Sequence, residues 1–146
     1  MIGIANLMVE AAPTGPQRYS GRYTSRPEAL ARVRSDVALY LTTWGLDGPV
    51  LYDAQAVATE LVANAIRHTR TRQIGMSVTR TRDDTVRITV TDNSRKPPMP
   101  AAELGDSIAE SGRGLLIVDA LAQDWGSKIV ITGKRVWADL AAGTAE

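Results

Sequence analysis

The chain has 146 residues and contains no cysteine, which excludes disulfide bonds, thiolate nucleophiles and zinc sites built on thiolates. It contains a single histidine, so a metal site with several histidine ligands is also excluded. No apolar run approaches the roughly 20 residues that a membrane-spanning helix needs. Neither charge sign dominates, because 17 basic and 16 acidic residues give a formal net charge of +1. This balance argues against a protein that binds nucleic acid through the phosphate backbone.

The length fits one domain with one hydrophobic core. Two prolines and a glycine lie between Ala11 and Pro16, so residues 1–16 are predicted to be a flexible tail, residues 17–142 the domain, and residues 143–146 a second tail. The apolar start, Met1 to Val9, has no basic residue ahead of it and no clean cleavage site. We therefore expect a tail rather than a secretory signal, and a cytoplasmic location by default.

The first half of the domain predicts a strand near Arg18 to Tyr23 and then a helix. Ser25 and Glu28 have the spacing of a capping box, which predicts that the helix starts there. Gly45 is well placed to end it. Its buried stripe is predicted from apolar residues at spacings of three and four: Leu30, Val33, Val37, Leu41 and Trp44.

The later elements follow from the same periodicity rules, and a long loop without periodicity separates them. The loop, 93–112, contains three prolines and is predicted to be a flexible lid. The remaining predictions are a helix at 50–69, a hairpin of strands at 74–78 and 86–90 with a turn at 81–84, a short helix at 115–122 preceded by Gly112 and Gly114, and a final hairpin of strands at 128–132 and 135–140 turning at Gly133 and Lys134.

This order of elements predicts an α+β fold, a two-layer sandwich with one mostly antiparallel sheet and helices on one face. The other face of the sheet is left for solvent or a partner. An arginine-rich set in the first half is expected to be a solvated surface, with a docking face for an acidic partner as the alternative. Its members are Arg18, Arg22, Arg26, Arg32 and Arg34.

Three polar residues, Glu60, Asn64 and His68, lie at four-residue intervals within the predicted second helix. A helix brings such residues to neighbouring positions along one side. Polar residues also take this spacing on any solvated helix face, so the pattern alone favours no site. Ala63 and Ala65 flank Asn64, and such small residues permit the close approach of a ligand.

Two further motifs are weak when each is taken alone. Asp92 ends an apolar strand, where its carboxylate is expected at the sheet rim, although an aspartate there is more often a turn former. Gly112, Arg113 and Gly114 directly precede a predicted helix, and free backbone amides at a helix start can bind phosphate. Ordinary loop-to-helix connections use such glycines at least as often.

In this order the three motifs resemble those of the histidine-kinase-like ATPase superfamily, the Bergerat fold, and specifically the stand-alone anti-sigma-factor serine/threonine kinases of actinobacterial type. The resemblance covers most of residues 17–142. Four short segments of the sequence support it: Trp44-Gly45-Leu46, Glu60-Leu61-Val62-Ala63-Asn64-Ala65, Gly112-Arg113-Gly114-Leu115 and Val136-Trp137-Ala138-Asp139-Leu140.

The resemblance implies ATP and Mg²⁺ as cofactors and a role for each motif. Asn64 is implied as the Mg²⁺ ligand, Asp92 as the residue that recognises adenine, and Glu60 as the general base of phosphoryl transfer. Gly112 and Gly114 are implied to contact phosphates, and Arg113 adds positive charge near them. His68 is expected to have a structural role. The implied partners are a sigma factor or an anti-anti-sigma protein, and a homodimer is possible.

Two departures from the family pattern motivate an alternative. Asp92 is followed by Asn93, Ser94, Arg95 and Lys96, where the broader superfamily has glycines, and Arg135 stands where a threonine often helps to bind adenine. The alternative is a non-catalytic module of the same fold that acts by protein contact and binds nucleotide weakly or not at all. Because Asp92 is expected at the rim, where it does not support the core, Asp92→Ala should abolish ATP selectivity and cause little unfolding.

Overall fold

The computed structural model describes residues 17–69, 71–81, 84–93 and 109–142, and for 109–114 only the backbone. Within these ranges the chain forms three helices and five strands. In chain order they are β1 (Gln17–Thr24), α1 (Ala29–Thr43), α2 (Pro49–His68), β2 (Gln73–Arg80), β3 (Thr85–Asp92), α3 (Ala109–Leu121), β4 (Asp124–Val130) and β5 (Gly133–Ala141). Residues 94–108 of the lid predicted at 93–112, and both predicted tails, lie outside the described residues.

The five strands form one antiparallel sheet in the order β1-β2-β3-β5-β4. Alternate residues of β2, β3 and β5 pack under the helices, and they form the core together with the apolar stripes of α1 and α2 and with Leu115 and Val118 of α3. The predicted α+β two-layer sandwich is confirmed. We call the sheet surface turned away from the described helices the open face.

Helix α1 ends as predicted, but it does not start as predicted. Gly45 adopts a φ of 78°, a left-handed conformation that suits glycine just after a helix. The capping box is wrong: Glu28 takes the cap position in helical geometry, without a side-chain cap hydrogen bond. Ser25 Oγ instead donates to the carbonyl of Thr71 at 2.6 Å. The serine therefore fastens the end of β1 to the segment between α2 and β2.

Two late boundaries also differ from the prediction. Helix α3 begins at Ala109, so Gly112 and Gly114 are its fourth and sixth residues rather than a loop ahead of it. Strand β4 begins at Asp124 and ends at Val130, so the turn into β5 lies at Ile131 and Thr132 and not at Gly133 and Lys134. None of the described helices is both long and apolar enough to cross a membrane.

A tyrosine cluster joins β1 to α1. The rings of Tyr19 and Tyr40 stack with centroids 4.3 Å apart, and Tyr23 Oη donates to Asp36 Oδ2 at 2.6 Å. Burial, together with the hydrogen bond to Asp36, raises the pKa of Tyr23 far above its usual value. Burial, reinforced by the negative charge of Asp36, raises the pKa of Tyr40 to about 12. Both hydroxyls therefore stay protonated in the folded protein at pH values where an unfolded chain ionises.

We expect the free energy of unfolding to fall as pH rises above about 10, because the unfolded tyrosines lose their protons first. The stabilisation is complete below pH 10 and is lost as pH rises toward the folded values, at about 1.4 kcal/mol per pH unit for each tyrosine. Urea unfolding at pH 9, 10 and 11 measures this slope. Tyr40→Phe should make it shallower, whereas Tyr52→Phe, at a tyrosine that is 69% exposed, should not. Equal slopes in the two variants would contradict the assignment.

Candidate functional site

Helix α2 carries the polar series Glu60, Asn64 and His68 across the sheet. The helix packs on β3 and β5, and Leu61 and Ala65 lie in the core on its buried side. Each member of the series is one turn from the next, about 6 Å along the helix axis. The series therefore runs toward the end of α2, which reaches the end of β3.

Asn64 is the member of this series that the fold buries. Its side chain is 4% exposed and forms no hydrogen bond with any other residue in the part of the chain that the structure describes. A mostly buried carboxamide without a partner in the protein keeps its oxygen and its N–H groups available to a ligand. This is the position expected of a side chain that receives a ligand. Glu60, one turn earlier, is half-buried and forms no ion pair among the described residues.

Asp92 does not lie at an exposed rim, as the sequence predicted. It continues the alternation Val86, Ile88, Val90 and therefore points to the helix side of β3, where its side chain is 0% exposed. Lys134, its partner in the β3–β5 register, is equally buried. Lys134 Nζ lies 3.8 Å from Asp92 Oδ2. The sheet register thus places an opposite charge directly beside the carboxylate.

His68 completes this cluster from the helix above. Its Nδ1 lies 3.3 Å from Lys134 Nζ. A lysine ammonium can only donate, so His68 Nδ1 accepts and the ring proton belongs on Nε2. One residue later, Thr69 Oγ1 donates to Asn93 Oδ1 at 2.6 Å. These contacts hold the end of α2 against the end of β3, which is the kind of structural role that was expected of His68.

Sequence reasoning missed Lys134 and assigned its place to Arg135. In β5, Arg135 is exposed on the open face, whereas Lys134 points inward to Asp92. The alternation of β5 could have indicated this. Val136, Ala138 and Leu140 are apolar at every second position, and Lys134 precedes them at the same spacing, so all four lie on one face of the strand. A side chain at position 134, rather than at 135, is therefore the one that could help or hinder a ligand at Asp92.

Gly133 brings the two strand ends into close approach. A Cβ built at this glycine would collide with the backbone of Asp92 and Asn93. A depression of about 910 Å³ is lined mainly by residues of β1, β2 and α1, together with Asp92, Asn93 and Thr132, and by neither Glu60 nor Asn64. The structure thus links Lys134 to both Asp92 and His68 by direct contacts, and places Asn64 and Glu60 on the preceding turns of α2.

The glycine motif has a different setting from the predicted one. A helix leaves only its first four amides without intrahelical acceptors, and Gly114 is the sixth residue of α3. The side chain of Arg113 lies outside the description. No group of three or more carboxylate, histidine or cysteine side chains that could hold a metal occurs in the described ranges. Asn64 is thus the metal-ligand candidate that the structure offers, and it needs further oxygen ligands from elsewhere.

Comparison with known proteins gives two matches. A family model described as "Histidine kinase-like ATPase domain" matches residues 23–139. Among solved structures, one similar chain is that of the RsbU and RsbW domains of Rv1364c from Mycobacterium tuberculosis, with 20% sequence identity and a TM-score of 0.64. The alignment covers 88% of this chain and 33% of that chain, so the present chain spans about a third of its length. The comparison with curated proteins gave no match. At this identity the structural likeness concerns the fold alone.

Proposed function

Because the chain belongs to the histidine-kinase-like ATPase family, we propose that it is an ATP-binding regulator of the anti-sigma kinase type, which phosphorylates a serine or threonine of a protein partner. The observation that carries the proposal is Asn64, a buried carboxamide without a hydrogen-bond partner among the described residues. The family's name implies ATP as the ligand. The proposed partner is an anti-anti-sigma protein, with a sigma factor as a second protein that the regulator binds.

The residues present fit Mg²⁺ and ATP at one end of the site. Asn64 supplies a neutral oxygen, the kind of ligand that Mg²⁺ accepts alongside phosphate oxygens and water. Bound nucleotide would supply the phosphoryl group to be transferred. We assign Glu60 to accept the proton of the attacking hydroxyl, since it is half-buried and unpaired one turn from Asn64. Gly112, Arg113 and Gly114 are proposed to lie near the phosphates, although their helix no longer begins where that role was predicted.

At the Asp92 end of the site, adenine binding requires the side chain of Lys134 to move. Asp92 is the proposed acceptor for the adenine amine, because a carboxylate accepts hydrogen bonds only. Its side chain is fully buried beside Lys134, so we propose that Lys134 withdraws when adenine binds. Separating these two groups costs free energy that nucleotide binding must supply. We therefore propose that the chain binds ATP more weakly than it would with a small residue at position 134.

The same pair favours a second candidate function. If Lys134 stays on Asp92, the chain keeps the fold and its surfaces but loses adenine recognition. It would then act by protein contact alone, as a regulatory module without phosphoryl transfer. The two candidates differ in one measurable property, which is the affinity for ATP.

Titration of the purified chain with ATP, with and without Mg²⁺ and with GTP as the control nucleotide, tests the proposal. We expect saturable binding that depends on Mg²⁺ and prefers ATP. Lys134→Thr should tighten ATP binding by about tenfold, since one charge-assisted contact of roughly 1.4 kcal/mol no longer competes with the nucleotide. Lys128→Thr, at an exposed lysine of the open face, is the matched control and should leave the affinity unchanged.

Two results would argue against the proposal. Absence of binding at millimolar ATP in both wild type and Lys134→Thr would favour the non-catalytic module. Weaker binding in Lys134→Thr would mean that Lys134 contacts the nucleotide itself, and would overturn its assignment as a competitor for Asp92.

A further inference from the structure

The open face of the sheet is organised in three rows of side chains that run across the strands. The register aligns Ser20, Ser77, Thr89, Trp137 and Gly126 in the middle row. One flanking row consists of Arg18, Thr79, Arg87, Asp139 and Asp124, and the other of Arg22, Gly75, Thr91, Arg135 and Lys128. A hydroxyl-rich centre therefore lies between two rows that contain five cations.

Four of these five cations form no ion pair within the described chain. Arg87 is paired, because its guanidinium binds Asp139 through two hydrogen bonds of 2.7 and 2.9 Å. The other four are exposed and form no ion pair among the described residues: Arg18, Arg22, Lys128 and Arg135. A depression of about 550 Å³ on this face is lined by Arg18, Lys128, Arg135 and the central hydroxyls, and by no acidic side chain.

The five arginines noted in the sequence lie on different elements of the structure. Arg18 and Arg22 belong to the open face through β1, whereas Arg32 and Arg34 lie on α1. Arg32 approaches Asp36 at 3.7 Å and lies over the ring of Tyr23. The docking face considered as the alternative for these arginines is therefore divided between elements, although Arg18, Arg22 and Arg32 line the same depression of about 910 Å³. Strands β3, β4 and β5 supply the remaining cations of the open face.

We infer that the open face docks an acidic segment of a partner protein, whose carboxylates meet Arg22, Arg135 and Lys128 while its backbone lies over the central hydroxyls. The charges are complementary, and arginine suits carboxylates because its planar fork donates two parallel hydrogen bonds. This surface lies on the opposite side of the sheet from Asp92 and Lys134. The depression of about 910 Å³ that Asp92 lines is also lined by Arg18 and Arg22, so the two surfaces adjoin at the β1 edge of the sheet. The inference does not depend on ATP.

One feature favours a protein over a nucleic acid on this face. The aromatic ring that the described strands place there, Trp137, lies against Gly126, where a Cβ would approach the ring to 2.8 Å, and Arg87 lies over it at 4.4 Å from the ring centroid. These contacts reduce the ring surface that is free for base stacking.

The test is a titration of the full chain with a fluorescein-labelled peptide of alternating Glu and Ser. About ten residues suffice, since they extend to roughly 33 Å, whereas five strands span about 19 Å. We expect saturable binding, with amide chemical-shift changes confined to the open face. Arg22→Gln combined with Arg135→Gln should weaken binding by about tenfold, because two exposed charge contacts are lost.

The matched control is Arg26→Gln combined with Arg34→Gln, which removes the same charge from exposed positions outside the open face and should leave binding unchanged. Equal losses in the two double variants would mean a net-charge effect and would overturn the inference. Tighter binding of a single-stranded oligonucleotide of equal charge would also overturn it. So would a homodimer, seen by sedimentation, that the Arg22 and Arg135 changes dissociate, because a second copy would then occupy the face.

Discussion

Asp92→Ala should lower the free energy of unfolding by about 3 to 5 kcal/mol, the cost of leaving one partner of a buried ion pair uncompensated. In the native chain, Asp92 and Lys134 both have side chains that are 0% exposed, with Oδ2 and Nζ 3.8 Å apart. Removal of the carboxylate leaves the ammonium in the core without that opposite charge, while His68 Nδ1 still lies 3.3 Å from Nζ. Chemical denaturation followed by circular dichroism measures the loss.

The control for this effect is a carboxylate in a similar pair at the surface. Asp139 binds Arg87, whose side chain is 46% exposed, so Asp139→Ala should cost about 1 kcal/mol or less. The double variant Asp92→Ala with Lys134→Met should be more stable than Asp92→Ala alone, because no buried charge remains unpaired. A loss in Asp92→Ala no larger than in Asp139→Ala would contradict the buried pair.

This expectation reverses the one drawn from the sequence, where Asp92 was placed at the rim and its replacement was expected to cause little unfolding. Proximity to a loop predicted exposure, but the alternation of β3 turns Asp92 inward with Val86, Ile88 and Val90. The neighbour that buries it, Lys134, lies 42 positions later in the chain. Only the register of β3 against β5 pairs the two, and strand register between distant segments is not encoded in local pattern.

The elements that periodicity defines were predicted well. The apolar stripes of α1 and α2 and the alternation of β2 and β3 each report one buried face, so their positions follow from the local sequence. Boundaries set by single residues were predicted less well. Ser25 had the spacing of a capping box, but its hydroxyl finds the Thr71 carbonyl, which only the folded chain brings close.

In the candidate site, too, local spacing predicted some features, whereas others depend on the packing of distant segments. Spacing alone placed Glu60, Asn64 and His68 on neighbouring turns of one helix, which the structure confirms. The burial of Asn64 and the contact of His68 with Lys134 depend on how α2 packs over the sheet. The roles of these residues toward ATP stay predictions. Gly112 and Gly114 were expected ahead of a helix that in fact begins at Ala109, since glycine is a weak signal for a helix start.

Glu60→Ala should slow phosphoryl transfer by about 100-fold to 10,000-fold, the usual contribution of a positioned general base. Glu60 is half-buried and forms no ion pair among the described residues, so its carboxylate is free to take a proton. ATP affinity should change little, because adenine and metal contacts are assigned to other residues. Single-turnover formation of ADP, with water as the acceptor, measures the rate without a partner protein.

Two companion variants separate the chemical step from binding. Asn64→Ala should lose the Mg²⁺-dependent part of ATP binding, whereas Glu60→Ala should retain it, so a change confined to turnover identifies a role in the reaction. Glu28→Ala, at an exposed glutamate ahead of α1, is the matched control and should turn over at the wild-type rate. Unchanged turnover in Glu60→Ala would remove Glu60 as the base. If the wild type binds ATP but forms no ADP even with a partner present, the chain is a nucleotide-dependent binding module, and Glu60 has no proton to accept.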